Sequence, residues 1–379
     1  MNVTHVITGL HDGGAEAVMY RLCRADQDNS HVVISLRGEG KYGPLLEAAG
    51  ITVHCLDMPR GLLTPAGTWR LARLLRHLRP DVVQTWMYHA DLIGGLAAIF
   101  AGRIPVIWGV RQSQLDPDKS KRTTIWIARI CALLSRLVPD RIVCCSFVAR
   151  DVHHALGYVN DKMIVIPNGF DLEQFKPDKL VGERARHELG IDSTVQVVGM
   201  VARFDSQKDH KMLIDAAQFL NNEIAGTHFV LCGKDMDWEN DELVGWIDAA
   251  GLRNYFHLLG ERPDTELLLP AFDVSCLSSA FGEGFPNVVG EAMACEVPCV
   301  ATDVGDSARI IGDTGVTVAP RDAKAFATGL KKLLTLSSDE RARVGKAARV
   351  RILENFELQF IVRQFENLYN DVLSNRPVS

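Results

Sequence analysis

Two carboxylates and two cations are spaced in this chain as a ligand carrying both hydroxyls and phosphates would need them. Glu283 stands inside the loop sequence FGEGFPN, and Glu291 follows eight residues later, one turn into a predicted helix. A carboxylate accepts hydrogen bonds well from hydroxyls and repels phosphate. The free N–H groups at a helix start attract anions. The segment therefore reads as a polyol site beside an anion site. Gly284, Phe285, Pro286, Asn287 and Val288 form the turn into the helix. Glycine there lets the backbone lie close to a ligand, and Asn287 is the expected N-cap. Upstream, Arg203 follows directly on the apolar run 195–202, and Lys208 falls at the start of the next predicted helix. A guanidinium grips two oxygens with its fork while an ammonium acts as a point charge, which suits a diphosphate. A lone Glu would be an ordinary helix-face residue, and a lone cation pair a solvated loop. Found together in one half of the chain, they favour the chemical reading.

Other candidates carry less. Gly13-Gly14 follows a predicted strand at 3–8 and precedes a helix at 15–23, with Glu16 in its first turn. This layout can place N–H groups near a phosphate, but it is not GxGxxG, and most such turns merely turn. His89 and Asp91 lie in WMYHADLIGG, just past a strand at 82–85. Arg262 follows a strand at 256–259, where its guanidinium could stack on a base. Asp235-Met236-Asp237 has the letters of a metal-binding pair but sits in a surface-type loop. Cys295 and Cys299 lack the His and acidic partners of a metal site. No metal is therefore expected.

The elements that must position these residues alternate regularly. Apolar runs at 31–36, 53–56, 82–85, 106–109 and 142–145 alternate with helical stretches. Further runs at 195–202, 227–232, 256–259, 274–277 and 298–301 do the same. This is the pattern of doubly wound α/β sheets, and 379 residues is too long for one ordinary core. Apolar content of 47% and charged content of 23% are those of a globular protein. The net charge of −6 hides an asymmetry, because residues 1–168 hold 19 Lys+Arg against 14 Asp+Glu. Residues 60–150 are the most basic stretch, with 14 against 5. An anionic partner follows from this, either a membrane surface or a phosphate-bearing acceptor. Nucleic acid does not, since the basic stretch lacks interleaved aromatics. Two segments carry the charge. TWRLARLLRHLRP puts Leu71, Leu74, Leu75 and Leu78 on one face and Arg70, Arg73, Arg76 and Arg79 around the other. KSKRTTIWIARICALLSRL joins Lys119, Lys121 and Arg122 to Ile125, Trp126, Ile127 and Ile130. Ordinary packed helices and docking on an anionic membrane are equally good readings of these segments. Nine cysteines with no CxxC pair read as reduced thiols. The chain opens without a signal peptide, and its most apolar stretch is half a bilayer span, so a cytoplasmic protein is expected.

The stretch EGFPNVVGEAMACEVPCVATDVG, with its E-x7-E spacing, resembles the signature of family 4 of the retaining glycosyltransferases (GT4). GGAE, YHADL, MIVIPNGFDLEQFKP and the R-x4-K of Arg203 and Lys208 resemble further segments of that family. The resemblance implies a GT-B fold: α/β, two Rossmann-like doubly wound parallel-sheet domains facing a central cleft. It implies an acceptor-binding domain at 1–167, a nucleotide-sugar domain at 168–354, and a terminal helix at about 355–379 returning to the first. Gly13 and Gly14 would face the donor diphosphate, Arg203 and Lys208 would grip it, and His89 would line the cleft. In some members the histidine follows the strand directly, where Trp86 stands here. Glu283 would serve the donor sugar, Glu291 the ribose, and Arg262 the base. The implied reaction retains the anomeric configuration, needs no metal or other cofactor, and lets the departing phosphate take the acceptor's proton. A UDP- or GDP-linked sugar and a lipid-linked or glycan acceptor of bacterial surface polysaccharide synthesis are the expected substrates. A nucleotide-sugar 2-epimerase shares the architecture but not the EGFPN loop. A glycan phosphorylase would need a cofactor lysine, and a non-catalytic binding module would hold the donor without transfer.

Overall fold

The computed structural model describes residues 1–59, 65–115 and 122–375. Short β-branched runs bounded by glycine turns fold into strands, and those inside the sheets are buried on both faces, as parallel sheets require. The first sheet contains β1 (Asn2–Ile7), β2 (Ser30–Ser35), β3 (Thr52–Cys55), β4 (Val82–Trp86), β5 (Val106–Val110), β6 (Arg141–Cys144) and β7 (Met163–Val165). Their order is β3-β2-β1-β4-β5-β6-β7, all parallel. The second contains β8 (Val197–Val201), β9 (His228–Cys232), β10 (Phe256–Leu258), β11 (Val274–Leu277), β12 (Cys299–Thr302) and β13 (Val316–Val318). Here the order is β10-β9-β8-β11-β12-β13, again parallel.

The chain divides into two compact units, Met1–Gly169 with Leu358–Ser379, and Phe170–Glu357. The helix Leu358–Ser374 belongs to the first because its apolar residues recur at helical spacing. Leu358, Ile361, Val362, Phe365 and Tyr369 join the core around Ile7, Val18 and Trp86. A Cβ on Gly169 would lie 2.9 Å from the Leu358 Cα, so the helix start sits directly on that turn. In the second unit Phe170 donates its N–H to the Phe356 carbonyl at 2.9 Å. Its ring fills the space a Cβ on Gly290 would take, 2.1 Å from Cζ. That contact seats the helix Asn287–Ala294.

Each sheet reverses its strand order once, between β1 and β4 and between β8 and β11. Loops leave such a point in opposite directions, which opens a crevice at the carboxyl ends of the strands. One local expectation fails there. Asn287 is the first residue of its helix, and Pro286 holds the N-cap with no side-chain cap bond. The proline fixes the chain entering the helix, so the asparagine begins the first turn instead of capping it.

Candidate active site

The β8–β11 corner of the second unit collects most of the charged candidates. The loop after β8 carries Arg203 and Lys208, and the loop after β11 carries Glu283. These loops are tied together, with Ala280 N–H donating to the Gln207 carbonyl at 2.8 Å and Ser278 Oγ to the Lys208 carbonyl at 2.7 Å. Lys208 Nζ lies 2.6 Å from Glu283 Oε1, both side chains nearly buried. Ser279 Oγ donates to the same oxygen at 2.5 Å, and Gln207 Nε2 at 3.4 Å. The cation and carboxylate assigned by sequence to opposite ends of a ligand are thus paired with each other. Arg203 is different. More than half of its side chain is exposed, and it contacts Asp205 at 3.2 Å and Gln207 at 3.3 Å.

A third loop holds this corner in shape. Gly305, at φ +63°, lies so close that a Cβ would sit 2.4 Å from the Glu283 carbonyl. Asp306 N–H donates to the Gly284 carbonyl at 2.9 Å, and Thr302 Oγ1 to the Ser279 carbonyl at 2.6 Å. Phe285 turns away from the crevice, with its ring against Phe170 and Phe356 at 6.0 and 5.5 Å between centroids. Only its backbone can serve a ligand, beside that of Gly284 and Val288 at the helix start. Glu291 is buried on the same helix. Arg262 gives its fork to Asp264, at 2.9 and 2.6 Å. That hydrogen-bonded carboxylate raises the arginine's pKa, and the arginine lowers that of Asp264. Asp235 and Asp237 flank the fully buried Met236, and Asp237 accepts from the Glu239 N–H at 3.0 Å, a turn contact.

The β1–β4 corner of the first unit is built from rings. Gly13 is the N-cap of the helix Gly14–Ala25, and the Glu16 carboxylate folds back to 2.4 Å from where a Gly13 Cβ would be. Burial raises the Glu16 pKa. Met87 takes φ +74° at the elbow into the helix Tyr88–Phe100, and His89 is half-buried in its first turn. Burial lowers the His89 pKa, with Arg37 adding to the effect. Asp91, its sequence neighbour in the motif, is fully buried. It accepts from Thr85 Oγ1 at 2.5 Å and from the Gly109 N–H at 3.2 Å, pinning the helix to β4 and β5. Burial pushes its pKa up to about 8.

Among the described residues, His5, Cys23 and His31 bring three metal-capable atoms together. Their hydrogen bonds argue for a proton-ordered chain instead. The Trp86 indole N–H donates to His5 Nδ1 at 3.1 Å, which puts the His5 proton on Nε2, facing His31 Nδ1 at 2.9 Å. His31 Nε2 in turn faces Asp26 at 3.2 Å. A metal would have to reverse the tautomer that Trp86 fixes. All nine cysteines are free thiols.

Sequence reasoning missed the supporting residues Gln207, Ser279 and Thr302. The serine pair closing β11 was a visible signal, whereas the glutamine and threonine act only through folding.

Comparison with known proteins bears on both units. Residues 12–174 match the model described as Glycosyltransferase Family 4, and residues 182–351 that described as Glycosyl transferases group 1. A relative from Escherichia coli, UDP-Gal:alpha-D-GlcNAc-diphosphoundecaprenol alpha-1,3-galactosyltransferase, is 27% identical over 81% of this chain and 79% of its own. The Campylobacter jejuni N,N'-diacetylbacillosaminyl-diphospho-undecaprenol alpha-1,3-N-acetylgalactosaminyltransferase is 24% identical over 97% and 98%. HepE of Anabaena, solved in complex with UDP, superimposes with a TM-score of 0.87 at 23% identity, over 98% of this chain and 100% of that one. The two Rossmann-like sheets are those of the GT-B fold, and the chain belongs to family 4 of the glycosyltransferases.

Proposed function

We propose that this chain transfers a sugar, with retention at the anomeric carbon, from a nucleoside diphosphate donor to a lipid-linked diphosphate acceptor, without a metal. The observation that carries this reading is the β8–β11 corner, where Arg203, Lys208, Glu283 and an uncapped helix start converge. When the glycosidic bond breaks, negative charge grows on the departing diphosphate. Arg203, Lys208 and the backbone N–H groups of the helix start would stabilise it, each well-placed donor contributing about 3 kcal/mol. The departing phosphate oxygen would take the proton of the acceptor hydroxyl on the same face of the sugar. Glu283 would accept from donor sugar hydroxyls and Glu291 from the ribose. Lys208 supplies three donors, so its bond to Glu283 leaves it able to reach a phosphate as well. The donor base stays open between UDP and GDP; the UDP-linked donor and lipid diphosphate acceptor named for the Escherichia coli relative support the UDP form.

A surface of the first unit suits an anionic membrane. Along the helix Arg122–Leu134 and just beyond, Trp126, Ile130, Leu133 and Leu137 form one exposed apolar stripe, with Leu133 at 78% and Leu137 at 81%. Arg122, Arg129 and Arg136 are exposed beside it. Ile125 and Ile127 are buried, so the stripe is not the one the sequence pointed to. Lys119 and Lys121 lie outside the described residues. Apolar side chains entering the headgroup region with basic residues around them are an interfacial arrangement. Among the described residues no helix is long and apolar enough to cross a membrane.

The test is a thermal-shift screen with UDP-, GDP- and ADP-sugars, followed by transfer to a short-chain lipid diphosphate sugar with EDTA present. Stabilisation by one donor, EDTA-resistant transfer and an anomeric configuration matching the donor by NMR are expected. An inverted product, or activity abolished by EDTA and restored by a divalent ion, would overturn the reading. Co-sedimentation with anionic vesicles should weaken with salt. Equal binding to neutral vesicles would remove the membrane surface from the account.

A further inference from the structure

The first unit holds a buried cation that its own fold leaves unmatched. Arg111 follows directly on β5, at the carboxyl edge of the sheet. Its guanidinium lies over the Trp86 ring, 4.4 Å from the centroid, and Nη1 donates to Asn168 Oδ1 at 2.8 Å. Nε and Nη2 are buried and have no hydrogen-bond partner. Among the described residues Arg111 makes no ion pair. Burial raises the pKa of Tyr369 and Cys144, and pushes that of Asp91 up to about 8. A further buried hydroxyl of this neighbourhood also lacks a partner, that of Tyr369, whose charge couples to Arg111.

A buried guanidinium with open N–H groups is costly unless something occupies them. A fork with two adjacent free nitrogens fits two oxygens of one phosphate or carboxylate. The carboxyl edge beside a reversal of strand order is where an open α/β sheet takes its ligand. We propose that Arg111, with Tyr369 near it, forms an oxyanion site of the first unit that receives the diphosphate of the acceptor. The assignment to the acceptor rests on the function proposed above; the anion site itself does not. The same chemistry could come from the donor diphosphate, and the experiment must separate the two sources.

The probe is inorganic pyrophosphate, titrated calorimetrically into the protein already saturated with UDP. Wild type should still bind it. Arg111→Met should weaken that binding by about tenfold or more while leaving UDP affinity within about twofold. Arg111→Lys, with charge but no fork, should fall between. Melting temperature adds a second reading. Removing an unmatched buried charge should leave it unchanged or raise it, whereas a purely structural arginine would lower it. In transfer assays Arg111→Met should raise the acceptor KM with little change in the donor KM. Loss of pyrophosphate binding to wild type once UDP is present would overturn the proposal, as would equal binding by Arg111→Met or a matching loss of UDP affinity. If pyrophosphate binding depends on Arg111 yet no lipid diphosphate is glycosylated, the anion site stands and the acceptor assignment falls.

Discussion

At the β8–β11 corner Lys208 and Glu283 neutralise one another, and two serines, a threonine and a glutamine lock the loops around them. At the β1–β4 corner the described residues show no such buried pair, and Asp12 meets Lys41 only at the surface. Trp86, His5 and His31 are joined by ring-nitrogen hydrogen bonds, Tyr88 bonds His153 at 2.7 Å, and Arg111 lies over the tryptophan with open N–H groups. The two corners share a topology and differ in how charge is stored. The second unit carries its cation with a counter-carboxylate already in place, so its shape survives without a ligand. The first carries a cation that awaits an anion.

The largest expected effect breaks the pair at the second corner. Lys208→Ala removes a donor at the departing phosphate, and kcat should fall about a hundredfold. It also takes the ammonium away from the buried Glu283 carboxylate, which should cost about 3 kcal/mol of stability, readable by denaturant titration. Arg203→Ala is the sharpening partner. Its kcat loss should be of the same order, but its melting temperature should match wild type because the side chain is mostly exposed. Equal stability losses for both variants would deny that only one of these cations is built into the fold. Next comes Glu291→Ala, expected to raise the donor KM about tenfold with a smaller change in kcat; an effect on kcat alone would remove its ribose role.

The smallest effect belongs to the first corner. Asp91 ionises at about 8 in the fold against an ordinary 3.8 unfolded. Its neutral form is therefore favoured by folding, so its contribution is complete below pH 3.8 and is lost as pH rises towards 8. Melting temperature followed from pH 5 to 9 should decline on this account, and Asp91→Asn should flatten the decline. Parallel curves for the two proteins would show that Asp91 does not titrate as its burial implies.

Much of the fold was legible in the sequence for a physical reason. Strands of a parallel sheet buried on both faces are continuous apolar runs, so β4, β5, β8 and β11 stood out. β13 did not, because Val316–Val318 is short and half-buried at a sheet edge. At the second corner residue types and spacing indicated a charged site, since Arg203, Lys208, Glu283 and Glu291 are separated by recognisable distances along the chain. Spacing could not show that Lys208 and Glu283, 75 residues apart, share a hydrogen bond. Nor could it show that Phe285 turns inward, or that Asp91 serves the helix and not the crevice. Arg111 was invisible for the same reason: an arginine after a strand is usually solvated, and only burial of its nitrogens marks it out.

The most direct test of the donor site is a crystal structure with the nucleotide sugar that stabilises the protein most. The account predicts the diphosphate on Arg203, Lys208 and the start of the helix Asn287–Ala294, with ribose hydroxyls on Glu291 and sugar hydroxyls on Glu283. A diphosphate bound elsewhere, with the Lys208–Glu283 corner untouched, would contradict it.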